Sequence, residues 1–443
     1  MTHMSNTVSN GSPEPSSADQ GDDDALDDAQ AYMRHMQLDE VFRPAAPVDR
    51  DELFVGRDHE RWALLEAIRS LGSHAVIYGE RGIGKTSMAA TTCDRCNKDG
   101  RVAVRITCDV GDNFASIWEK FMDECLIYLA SNPGSPPELR DAMERAAEVL
   151  GPDVGPAQVR VALRHILTVL PVVIFLDEFD QVADPATLAL ISNLIKMLSD
   201  QIEPATLIPV GVSESVDALI SGHQSIGRNL VQVRMPRMSR NELRDVALKG
   251  YKKLDMYANE AALRFIAGMP RGFPQYAHIL AQEGARQALM ARTRRITGQH
   301  VFAGLELGMK KVDHSLASAY DQATYSAKPS RFRVVLMACV LADTDEFGYF
   351  SPADLRQSFS ALIGEQVGVE RFNPHLVRLS EERGQILTQV GENRKHRYRF
   401  TDPLMEPYVL LKGIDSGLIT PDLVLGPDDS GSDDRPTVQQ PLF

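Results

Sequence analysis

The chain has 443 residues, enough for two or three domains, and 43% of them are hydrophobic, which supplies real cores and excludes a wholly disordered chain. No apolar run approaches the roughly 18 residues of a membrane span, and the N-terminus lacks a charged-then-apolar signal pattern, so a cytoplasmic protein without membrane contact is expected. The formal net charge of −14 lies mostly at the ends: residues 1–30 carry −7 and residues 413–443 carry −5, which leaves −2 for the body and does not exclude a nucleic-acid partner.

In chain order, residues 1–30 are Ser, Gly, Pro and Asp with almost no large apolar side chains, so disorder is expected there. Apolar residues return over 31–50, and Phe42 to Pro47 reads as an extended strap. Phe54-Val55-Gly56-Arg57 follows, then an amphipathic helix with Trp62, Leu64, Leu65 and Ile68.

His74 to Tyr78 is a short apolar run that leads into Gly79-Glu80-Arg81-Gly82-Ile83-Gly84-Lys85-Thr86-Ser87, after which a helix opens. This is the P-loop pattern GxxxxGK[ST] in its strand–loop–helix setting. Gly79, Gly82 and Gly84 let the backbone bend so that its N–H groups face a phosphate, and the helix that starts near Lys85 turns its positive end to the same anion. Lys85 is expected on the β- and γ-phosphates of ATP, and Thr86 on Mg²⁺. Cys93 and Cys96 form a C-x-x-C on the helix that follows. With no second ligand pair nearby they read as two helix-borne thiols, and the five cysteines (with Cys108, Cys125 and Cys339) make no disulfide framework in a chain of this length.

Alternation over Arg101 to Cys108 predicts a strand, and helical spacing covers Phe114 to Ala130. A Pro/Gly/Ser break at Asn132 to Pro137 precedes helices near 137–150 and 156–168. Pro171 to Leu176 is a buried strand that ends in Asp177-Glu178, at the strand tip where parallel sheets bind ligands. Asp177 suits Mg²⁺, and Glu178 suits polarising the attacking water. A helix over Leu188–Leu198, a strand over Ala205–Gly211 and a last strand over Leu230–Val233 complete an α/β pattern with a parallel sheet. From the capping box Ser239-Arg-Asn-Glu242 the pattern is all helical: near 240–254, 258–268, 273–291 and 297–310. Helices over Phe332–Ala342, Ser351–Leu362 and about 373–383, then a hairpin of Ile386–Val390 and Arg397–Phe400, predict a winged helix. The domain expectation is therefore 1–47 disordered segment and strap, 48–238 P-loop core, 239–315 all-α lid, 316–412 winged helix and 413–443 disordered acidic tail.

With these residues in place, the chain resembles the AAA+ ATPases over roughly 50–410. Within them it is similar to the origin-recognition and replication-initiator branch, to the TniB-type transposition ATPases and, less closely, to the STAND signalling ATPases. The resemblance implies that Phe54, Val55, Gly56 and Arg57 contact adenine and that residues Gly79 through Ser87 hold the phosphates. It implies that Asp177 binds metal and that Glu178 is the catalytic acid. Ser213 or Glu214 would be the first sensor, Glu214 standing where initiators carry Asn. Arg228 would be an arginine finger that serves a neighbouring subunit, which implies an ATP-dependent homo-oligomer. Gly272-Phe273-Pro274-Gln275 resembles the G-x-P-R of the lid, with Pro274 at the nucleotide and Gln275 in place of the sensor arginine, for which Arg271 could substitute. Function is expected to be an ATP-hydrolysing switch that works on or near DNA through Arg394, Lys395 and Arg397 of the wing, with a protein partner that the sequence does not name. The alternative is a STAND-like signalling or host-defence ATPase whose winged helix governs the nucleotide state.

Overall fold

The computed structural model describes residues 24–44, 46–47, 52, 54–211, 229–311, 314–326, 331–345, 348–391 and 396–425. Five parallel strands form its central sheet: β1 (His74–Tyr78), β2 (Val102–Thr107), β3 (Val172–Asp177), β4 (Ala205–Gly211) and β5 (Leu230–Arg234). Their spatial order is β2-β3-β4-β1-β5. Parallel neighbours need crossovers, and helices supply them: Lys85–Lys98 after β1, three helices between β2 and β3, and Pro185–Asp200 after β3. The chain leaves β1 for the far side of the sheet and returns to flank it with β4 and β5. The tip of β1 therefore opens where the strand order reverses, the crevice in which open parallel sheets hold ligands.

Both faces of the sheet are covered, which is why β3 and β4 read as unbroken apolar runs. Side chains alternate between two cores. Val172, Ile174 and Leu176 of β3 pack with the helices Phe114–Ser131, Pro137–Val149 and Pro156–Leu167. Val173 and Phe175 face the opposite core, which continues without a break through the P-loop helix, the lid and the C-terminal unit.

The lid carries helices Arg240–Lys253, Glu260–Gly268 and Pro274–Met290, the first capped by Ser239 and Glu242 as the capping box predicts. In the C-terminal unit, Phe332–Leu341, Pro352–Ile363 and Asn373–Glu381 precede an antiparallel hairpin in which Leu387 pairs with Phe400 and Val390 with Arg397. Two flanking helices that periodicity did not single out complete it, His314–Thr324 and Met405–Asp415.

Both ends depart from the expectation of disorder within the described residues. Residues Asp28–Val41 form a helix, closed at its start by a capping box between Asp27 and Gln30. Its Leu38, together with Phe42, is buried against the lid, and Phe42 meets Tyr251 edge-on at 5.5 Å. A few apolar residues suffice here because the lid already presents a surface that receives them. At the other end the helix runs on to Asp415, Ile414 and Ile419 are buried, and Pro421–Leu425 is a short helix whose Leu425 reaches Gly268.

Candidate functional site

The loop after β1 takes the backbone shape its glycines were read to allow. Gly79, Gly82 and Gly84 have φ of 153°, 82° and 97°. A Cβ on Gly79 would lie 2.5 Å from the Met235 carbonyl oxygen, and one on Gly82 would lie 2.6 Å from Leu404 Cδ2, so side chains are excluded from the turn on two counts. Gly84 caps the helix Lys85–Lys98 in a left-handed conformation and points the helix start at the crevice.

Lys85 Nζ donates to the carbonyl oxygens of Gly79 at 3.0 Å and Glu80 at 2.8 Å. Burial lowers its pKa, against the opposing pull of Asp180, Asp177 and Glu80. Thr86 Oγ1 donates to Asp177 Oδ1 at 3.3 Å, and the Glu178 amide donates to the same oxygen at 3.0 Å. Asp177 Oδ2 is held by Arg105 Nη1 at 3.0 Å, across the β2–β3 register that pairs Thr107 with Asp177. Glu178 stands exposed at the strand tip with φ 53°, a left-handed conformation that turns the chain sharply away from the strand.

Lys85, Thr86, Asp177 and Glu178 line a cavity of about 410 Å³ that also includes Asp180, Pro274, Gln275 and His278. Beside it lies a small apolar cavity of about 40 Å³ lined by Phe54, Val55, Ile83, Met238, Val246 and Arg57, among others. The segment read as adenine-contacting therefore flanks the P-loop. Arg57 sits at φ 63°, its amide donates to Glu242 Oε1 at 3.2 Å, and its Nε is buried without a partner. Glu242 lies so close to Gly56 that a Cβ there would meet Oε1 at 2.7 Å. Hydroxyl and carboxylate oxygens at Thr86 and Asp177 are the hard donors that Mg²⁺ prefers, and the curled loop with Lys85 suits a polyphosphate, so the residues present fit both groups.

One family model matches, over residues 53–208, and its description is an AAA ATPase domain. The protein carries an AAA ATPase domain. It is an ATPase. No curated protein matches the chain. A solved Walker-type ATPase of Pyrococcus abyssi shares the fold, with 16% identity and a TM-score of 0.51 over 83% of this chain and 98% of that one. Cdc6p of Pyrobaculum aerophilum (18% identity, 86% and 99% covered, TM-score 0.43) is also similar. So is the ORC2 protein of Aeropyrum pernix (14% identity, 86% and 97% covered, TM-score 0.48).

Around this AAA site the structure adds residues that motif reading passed over. Arg105 on Asp177 could have been noticed as the one charge in an apolar strand. Asp180 lies two positions beyond Glu178 and faces the cavity that holds Lys85. Arg43, Pro44 and Pro47 of the N-terminal segment line the same cavity, so the segment read as a strap reaches the candidate site.

The largest surprise is the C-terminal unit. Arg237, just beyond β5, is held on one side by P-loop Glu80 (Nε to Oε2, 2.8 Å) and on the other by Glu406 (Nη1 to Oε2 and Nη2 to Oε1, both 2.7 Å). Its guanidinium lies 4.7 Å over the Phe273 ring, and the paired carboxylates raise its pKa against burial. Arg81 pairs with Asp402 at 3.3 Å, and Tyr276 of the lid donates to the Leu404 carbonyl at 2.8 Å. Arg271, the candidate substitute for the sensor arginine, turns the other way: it donates to Val340 O at 2.9 Å and approaches Glu406 at 4.0 Å. Gln275 is the one of the two that lines the cavity.

Ser213, Glu214, Arg228, Arg394 and Lys395 lie outside the described residues. Arg397 pairs with Asp345 at 2.7 Å and lies over Tyr349. Among the described residues no helix is long and apolar enough to cross a membrane, and no group of three or more His, Cys, Asp or Glu could hold a metal ion. Burial pushes the Cys93 and Cys96 thiols up to about 12 and about 11, as expected of unreactive thiols.

Proposed function

We propose that this ATPase is a nucleotide-driven switch whose working units are the core over 48–238, the lid over 239–315 and the winged helix over 316–412. The observation that supports it is the bridge Glu80–Arg237–Glu406, which ties the P-loop to the C-terminal unit through one arginine. In this reading Phe54 to Arg57 take the base, and the P-loop amides with Lys85 and Ser87 take the phosphates. Thr86 and Asp177 hold Mg²⁺, which would neutralise phosphate charge. Glu178 accepts the proton of the attacking water, and Pro274 closes the site from the lid. Arg105 steadies Asp177, the carboxylate that would hold the metal.

Assembly into a homo-oligomer on ATP, with Arg228 reaching a neighbour's site, and DNA contact through Arg394, Lys395 and Arg397 are the finer parts of the proposal. The second reading, a signalling ATPase whose winged helix governs the nucleotide state, shares the same bridge and differs in having no use for DNA. Hydrogen exchange on the full chain tests the switch: amides of Met405–Asp415 should exchange at different rates with ADP and with a non-hydrolysable ATP analogue. Identical exchange in both states would refute it. Mass photometry and salt-dependent DNA titration of the same samples separate the finer readings, because an ATP-independent monomer that ignores DNA at low salt overturns the first.

A further inference from the structure

His278 lies on the lid helix Pro274–Met290, one turn beyond Pro274. Its side chain is 8% exposed, and the ring borders both cavities: the polar one that holds Lys85 and Asp177, and the small apolar one beside Phe54 and Ile83. Gly84, Ser87 and Pro274 share that position. Among the described residues neither ring nitrogen of His278 has a hydrogen-bond partner, and Nδ1 is wholly buried. Burying a polar group unpaired is costly, so a ring kept this way at a ligand cavity needs a reason.

Phe42 supplies the rigidity. It comes from the N-terminal segment and meets the imidazole edge-on, centroids 5.9 Å apart at 71°. Burial takes the imidazole pKa down to about 4, so at neutral pH the ring is uncharged and offers one donor and one acceptor. Nδ1 has no accessible surface, so Nε2 is the nitrogen a ligand can meet, and a hydroxyl group suits it in either tautomer because it both donates and accepts. In a nucleotide with its phosphates at the P-loop and its base in the apolar cavity, the sugar is the part that crosses the boundary where His278 stands.

We propose that His278 reads the sugar: it hydrogen-bonds a ribose hydroxyl of the bound nucleotide and makes the site select ribonucleotides over deoxyribonucleotides. The proposal rests on the nucleotide site argued above. Calorimetry on the full chain at neutral pH with ADP, 2′-deoxy-ADP and 3′-deoxy-ADP tests it and involves no turnover. At least one deoxy form should bind about three- to tenfold more weakly, the worth of one hydrogen bond. His278→Phe keeps the ring beside Phe42 but removes both nitrogens, so it should bind all three equally, at the weaker affinity. His278→Gln should restore part of the preference. Equal binding of the three ligands by the unaltered protein overturns the proposal without any variant needing to fold, and so does an undiminished preference in His278→Phe. If ADP itself does not bind, the nucleotide assignment falls first and this proposal with it.

Discussion

Replacing Glu406 by Gln tests the bridge between the P-loop and the C-terminal unit. Glu406 is only 5% exposed, and both its oxygens accept from Arg237 at 2.7 Å, the parallel fork that guanidinium and carboxylate form best. The amide keeps one acceptor but turns an NH₂ group toward a donor, so one charge-assisted bond is lost and the other weakened. Breaking a fully buried pair costs about 3–5 kcal/mol. Here Arg237 is 25% exposed and keeps Glu80 as a partner, which brings the expected loss to about 1.5–3 kcal/mol. Arg81→Ala is the internal control: Arg81 is 70% exposed, and its pair with Asp402 should be worth less than about 1 kcal/mol. Hydrogen exchange through the helix Met405–Asp415 reports the local opening free energy of the docked unit, and ADP release should speed up in parallel. An opening free energy in Glu406→Gln that equals the unaltered protein's, or falls by no more than in Arg81→Ala, would refute the bridge as a mechanical link.

Lys85→Ala should weaken ATP binding tenfold or more in calorimetry, since a charge-assisted contact is worth about 1.5–3 kcal/mol, while Glu178→Gln should bind ATP normally and fail in a single-turnover assay. Acid stability turns on the buried histidines. His74 is wholly buried, its Nδ1 accepts from the Leu207 amide at 2.9 Å, and burial takes its pKa to about 4. A folded-state pKa below the ordinary value of about 6.5 means the unfolded chain binds the proton more readily. The stability is therefore full above pH ~6.5 and is lost as pH falls toward 4, by about 3 kcal/mol for this residue. His74→Asn, whose amide oxygen can still accept from Leu207, should flatten that acid limb in urea titrations between pH 7 and 5; an unchanged slope would count against it.

The candidate site could be read from the chain as a pattern because its chemistry is local. Gly79 to Ser87 must curl round an anion and start a helix within a few residues, and the apolar run before Asp177 must be a buried strand with its acid at the tip. Those demands fix residue types at fixed spacings, so the core, the lid and the hairpin followed from periodicity and turn signals. What stayed hidden depends on contacts between residues far apart in sequence. The helix Asp28–Val41 was not legible in the chain, because its stability comes from a lid surface more than two hundred positions away. Glu80, Arg237 and Glu406 are three ordinary charges in the sequence, and His278 is one ordinary histidine among others. Only the packing of the C-terminal unit against Gly82, and of Phe42 against the lid, brings them together where desolvation makes a charge pair or an unpaired nitrogen matter.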